Sequence, residues 1–141
     1  MATFQSQVEG MTQITIGDST KPSKVQLDNI IKDAITCTVN KITNLRPDEA
    51  VKFTSTSTIS DSNGLNLNGK IIGVIRTHDH YDRIATQIPS ILRSEVTNPA
   101  SFNYRSAYNP AFYVLDNKVY VSPEPSESHP AKVTQLAYDT A

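Results

Sequence analysis

The chain has 141 residues, 38% of them hydrophobic, with 13 Lys and Arg against 14 Asp and Glu and a formal net charge of −1. That length suits one domain able to bury about two-thirds of its unfolded surface, and no block of like charges marks a nucleic-acid or membrane-surface patch. The single cysteine, Cys37, excludes an intrachain disulfide, and no stretch approaches the roughly 20 apolar residues of a membrane span.

Residues 1–20 read as an N-terminal arm. The start, MATFQSQVEG, has neither the basic beginning nor the apolar run of a secretory signal. Phe4, Val8 and Met11 fall at helical spacing, but Gly10 argues against a long helix there. Ile14–Ile16 is extended and enters a turn at Gly17-Asp18-Ser19. The clearest element is a helix over 23–44. Ser23 and Gln26 have the spacing of a capping box, and Leu27, Ile30, Ile31, Ala34, Ile35, Val39 and Ile42 make a stripe with steps of three and four. Cys37 has apolar neighbours and is expected to be a partly buried, inert thiol.

From Val51 the period changes to two, and 51–141 is expected to be the β-rich part. Ser and Thr fill 29 positions of the chain; many lie on alternating runs, where the β-branch of Thr favours strands. A first strand runs over 51–59 and reaches a turn at Asp61-Ser62-Asn63-Gly64. A second, 70–76, is apolar enough to be buried on much of both faces. Residues 81–88 form a third strand ended by Pro89, 90–96 one or two helical turns, and 98–109 a loop. Tyr108–Pro125 then reads as a hairpin. A two-residue Asp116-Asn117 turn sets Phe112 opposite Val121 and Val114 opposite Val119 on one face, with Tyr113, Leu115 and Tyr120 on the other. A Pro/Ser/Glu loop, 123–130, precedes a last strand, 131–138. The fold class expected is α+β: a single domain, 1–141, with one long amphipathic N-terminal helix packed on a mainly antiparallel sheet.

The segment that most looks like chemistry is Thr77-His78-Asp79-His80-Tyr81-Asp82-Arg83. It resembles the strand-end signature T-H-x-H-x-D-H of metallo-β-lactamase-type hydrolases, in which such histidines and the Asp-His pair seat a zinc centre. His78, His80 and Asp82 match, but Arg83 stands where the last histidine belongs, and a fixed cation there opposes metal binding. His129 is the one further histidine. Asp48 and Glu49 suit a solvated corner rather than a facing carboxylate pair. There is no G-x-S-x-G elbow, phosphate-cradling loop or dinucleotide fingerprint. No catalytic residue, metal or cofactor is expected. Seven of the ten aromatic residues lie beyond residue 100, which suits a sheet core plus contact residues, since Tyr is enriched at interfaces.

The order of elements resembles tailed-bacteriophage virion proteins of the neck, of the head-to-tail adaptor type. The residues that carry it are FQSQVEGMTQ, the helix through LDNIIKDAI, Arg46-Pro47-Asp48-Glu49, the IIGVIR strand, Ile88-Pro89 and NPAFYVLDNKVYVSPEP. The hairpin match runs through Pro110, Tyr113, Asp116-Asn117, Val119-Tyr120-Val121, Pro123 and Pro125. The resemblance implies a virion protein that forms a ring of identical copies joining portal and tail proteins, and a C-terminal helical part beyond Ala141. It carries over no catalytic residue, membrane contact or specific nucleic-acid binding. Candidate contact residues are Phe4, Val8 and Met11 in the arm, His78, His80 and Tyr81 in the polar loop, Phe102, Tyr104 and Tyr108 in the 98–109 loop, and Tyr113 and Tyr120 on the hairpin. The alternatives are another virion position (capsid decoration, tail or fibre attachment) and a metal-dependent hydrolase built on HDHYD.

Overall fold

A computed structural model describes residues 3–138. The chain is α+β, with two helices, α1 (Phe4–Thr12) and α2 (Lys24–Leu45), ahead of eight strands. It divides into two compact units, one made of the residues up to Phe53 together with Tyr138, the other Thr54–Ala137.

In the first unit the arm folds further than its sequence suggests. Thr3 caps a nine-residue helix through the Ser6 amide, and the helix ends at Gln13 in the left-handed region. The following segment is tied back onto it. Glu9 accepts the Ile16 amide at 2.8 Å, and Gln5 donates to the Ile16 carbonyl at 3.0 Å. α2 begins with both halves of the expected capping box: Ser23 Oγ accepts from the Gln26 amide and Gln26 Oε1 from the Ser23 amide. Of its apolar stripe only Leu27 and Val39 are buried, and the short 3-10 turn Glu49–Phe53 packs beside the helix. Cys37 is exposed, a correction to the expected partly buried thiol. Val51 and Phe53 lie in that 3-10 turn, so the first strand starts at Thr54 rather than Val51.

The second unit is two four-stranded sheets around one core. The first has the order β1 (Thr54–Ile59), β8 (Ala131–Leu136), β3 (Ile71–His78), β4 (Tyr81–Ile84). The second has β2 (Leu65–Asn66), β7 (Lys118–Ser122), β6 (Ala111–Leu115), β5 (Thr86–Gln87). All pairings are antiparallel except β5 with β6. Ile59, Val74, Ala131 and Val133 of the first sheet meet Phe112, Val119 and Val121 of the second.

The β6–β7 hairpin has the expected register, Phe112 with Val121 and Val114 with Val119. Asp116 and Asn117 both take positive φ, 50° and 60°, as a two-residue type I′ turn requires. Two features were not expected. The register of β3 against β8 slips between Ile71 and Gly73, a bulge that changes the phase of the strand. Ile71 and Val74 can therefore both face the core while Ile72 is exposed, so the strand is not buried on both faces. The run 81–88 is two strands, not one. The Ala85 amide donates to Val74 of the first sheet and the next amide, Thr86, to Pro110 of the second. The chain changes sheets at that residue.

Two side chains fasten one end of one sheet to the other. Arg76, 5% exposed, donates from Nε to the Pro123 carbonyl (3.0 Å) and from Nη2 to the Glu124 carbonyl (3.3 Å). Gln135, also buried, accepts the Asn68 amide at 3.0 Å. Desolvation holds the Arg76 guanidinium below its ordinary pKa.

Candidate functional site

β3 and β4 form a second tight hairpin, with His78 paired to Tyr81 and positive φ at Asp79 (50°) and His80 (67°). Directly paired residues point to the same side and side chains alternate along each strand. Arg76, His78, Tyr81 and Arg83 therefore share one face, and Thr77 and Asp82 the other, where the Thr77 hydroxyl donates to Asp82 at 2.7 Å. This alternation separates the histidine-aspartate set that the sequence suggests. His80 is exposed at the turn and Asp82 faces away from His78.

A different trio comes together. His129, from the loop after β7, lies against His78 with ring centroids 4.8 Å apart. Asp79 Oδ2 is 3.3 Å from His78 Nε2. One donor atom from each of His78, Asp79 and His129 lies within 4.8 Å of the others. Tyr108 meets His78 edge-on at 5.6 Å, and the Arg83 guanidinium lies over the Tyr108 ring at 4.9 Å. His129 is the residue the sequence could not place, since it joins the hairpin only through tertiary structure.

The other contact candidates fall into three groups. In the first unit, Phe4 is half exposed and lines an apolar groove of about 380 Å³ with Ile31, Ala34, Ile35, Val39 and Phe53. Val8 is half-buried and Met11 almost fully exposed. In the second unit, Tyr81, Tyr104 and Tyr108 are exposed, and Phe102 projects completely into solvent. Its loop is braced by Glu95, which accepts from Asn103 Nδ2 (2.7 Å) and Ser101 Oγ (3.1 Å). Those two bonds hold the Glu95 carboxyl below its ordinary pKa.

Tyr113 and Tyr120 form the third group. Their rings stack at 5.4 Å on the outer face of the β6–β7 hairpin. That face is partly covered by its own chain, since Ile88, Val96 and Leu92 pack with Ala111 and Tyr113. Burial pushes the Tyr113 hydroxyl above its ordinary pKa, with Arg93 acting against the shift and Tyr120 and Glu124 adding to it. The pocket beside the pair is only about 160 Å³, below the roughly 300 Å³ at which small-molecule sites begin. Among the described residues no helix is long and apolar enough to cross a membrane.

Comparison of the chain with models of protein families, with curated proteins and with solved structures gives no match.

Proposed function

We propose that the chain is a structural protein of a virion, of the neck or head-to-tail adaptor kind, which acts by contact rather than catalysis. In this reading copies of the chain assemble into a ring between portal and tail proteins. The observation that carries it is the set of large side chains turned outward on the second unit: Tyr81, Ile84, Ile91, Phe102 and Tyr108. Scattered exposed apolar residues are normal, but aromatic side chains gathered on one hairpin and one braced loop are what interfaces use. The occupant is a second copy of this chain. Among the described residues the first sheet has two unlike outermost strands, the Ser/Thr-rich β1 and the charged β4. Unlike patches on one protomer make heterologous contacts, which give a ring where the rotation between copies closes and an open filament where it does not; the ring is the form proposed. The hydrolase alternative has less support, because alternation along β3 and β4 places His78 and Asp82 on opposite faces.

Native mass spectrometry over a concentration series tests the reading. The expected result is one species of fixed copy number, a whole multiple of 15.5 kDa, which Phe102→Ser with Tyr81→Ser dissociates without changing the circular dichroism. A monomer at every concentration, or an assembly indifferent to both substitutions, would reject it.

A further inference from the structure

The geometry points to a binding site for one divalent transition-metal ion of the zinc class, held by His78, Asp79 and His129. Two imidazoles and a carboxylate are a donor set suited to such ions and poorly suited to Mg²⁺ or Ca²⁺. With bonds of about 2.1 Å in a tetrahedral site, neighbouring donors stand roughly 3.4 Å apart. The 3.3 Å between His78 Nε2 and Asp79 Oδ2 already meets that spacing. The full trio, within 4.8 Å, needs only a contraction of the kind that side-chain rotation supplies.

A second observation points the same way. His78 Nδ1 is buried and has no hydrogen-bond partner among the described residues. Buried polar atoms are nearly always satisfied, so this ring has donor capacity that the protein itself does not use. Nε2 is the nitrogen that already faces Asp79, so the ring offers Nε2 to the ion as it stands and Nδ1 only after rotation of the side chain.

The backbone beneath the donors is fixed. Asp79 occupies the tight β3–β4 turn. Ser126 and His129 exchange two backbone bonds, 3.2 and 3.1 Å, and the Thr77 amide donates to the Pro130 carbonyl at 2.9 Å. The Ser128 hydroxyl lies 3.1 Å from His129 Nδ1, which orients the ring and leaves Nε2 as the ligand, as outer-shell partners of metal-binding histidines do. The Arg83 guanidinium is engaged by the Tyr108 ring, 4.9 Å from its centroid. The ion would clip the 123–130 loop to the β3–β4 hairpin, a structural rather than catalytic use.

Calorimetric titration of the full chain with Zn²⁺, after treatment with a chelator, tests this. One ion per chain is expected, with micromolar or tighter affinity and no comparable heat from Mg²⁺. His78→Gln and His129→Gln should each weaken binding at least about tenfold, while His80→Gln leaves it unchanged. Imidazole nitrogen NMR of the unsubstituted protein gives the same answer without variants: the His78 and His129 rings should shift with Zn²⁺ and the His80 ring should not. Absence of binding, binding indifferent to His129→Gln, or a dominant shift of His80 would overturn the site.

Discussion

Gly64→Ala should be among the most damaging single-methyl additions in the second unit. Gly64 ends the Asp61–Asn63 turn at φ +72°, a region that costs an L-residue roughly 1–2 kcal/mol. A Cβ there would lie 2.9 Å from the Val119 carbonyl oxygen and 2.9 Å from Tyr120 Cε1. The ring can yield, but the carbonyl belongs to a fully buried residue of β7 that pairs with Leu65. Overpacking of this kind costs about 1–3 kcal/mol, so the total is about 2–5 kcal/mol. For a unit of this size each kcal/mol lowers Tm by roughly 4–8 °C, so the fall should be at least about 8 °C. Urea denaturation followed by tyrosine fluorescence is the assay, since the chain has no tryptophan. Gly73→Ala is the internal control: a Cβ there meets nothing within 4 Å, and it should move stability by less than about 0.5 kcal/mol. In a Tyr120→Ala background the cost of Gly64→Ala should fall without vanishing, because the carbonyl contact and the positive φ persist. A Gly64→Ala chain within 0.5 kcal/mol of the parent, or a Gly73→Ala chain equally destabilised, would refute the reasoning.

Three further outcomes follow from single contacts. Arg76→Met should cost about 2–4 kcal/mol, because it leaves the Pro123 and Glu124 carbonyls without their donors; limited proteolysis of the 123–130 loop should increase with it. Ser23→Ala removes one half of the α2 capping box and should lower the stability of the first unit by about 0.5–2 kcal/mol, read by helical circular dichroism. The bracing of the 98–103 segment by Glu95 should depend on pH. Its folded carboxyl titrates below the ordinary value of 4.5, so the brace is complete above that pH and is lost as the pH falls through the folded value. Proteolysis of this segment should rise on acidification in the parent, and the acid-dependent rise should be absent in Glu95→Gln.

What the sequence made legible is what local chemistry dictates. Ser23 and Gln26 announce the start of α2, and Asp116-Asn117 between alternating apolar residues fixes the register of β6 and β7 down to the facing pairs. What it hid is tertiary. Nothing in YDRIATQI marks Ala85 as the residue where consecutive amides turn to different sheets. The bulge at Ile72 needs the partner strand β8 to be defined at all. An even alternation in Val51–Ile59 gave way to a 3-10 turn as far as Phe53, since a period of two over a few residues does not exclude a tight turn. At the candidate site the sequence supplied His78 but proposed His80 and Asp82 beside it. The tight turn exposes His80, alternation turns Asp82 away, and a distant loop brings in His129. The aromatic bias beyond residue 100 was legible, and so was the second hairpin face. That Ile88, Leu92 and Val96 cover part of that face was not.

The central claim, that this chain works by assembling copies of itself into a ring, is tested most directly by negative-stain electron microscopy of the purified protein. The account predicts closed rings of one rotational symmetry, lost in the Phe102→Ser, Tyr81→Ser chain. Dispersed single protomers, or open filaments without closure, would contradict it.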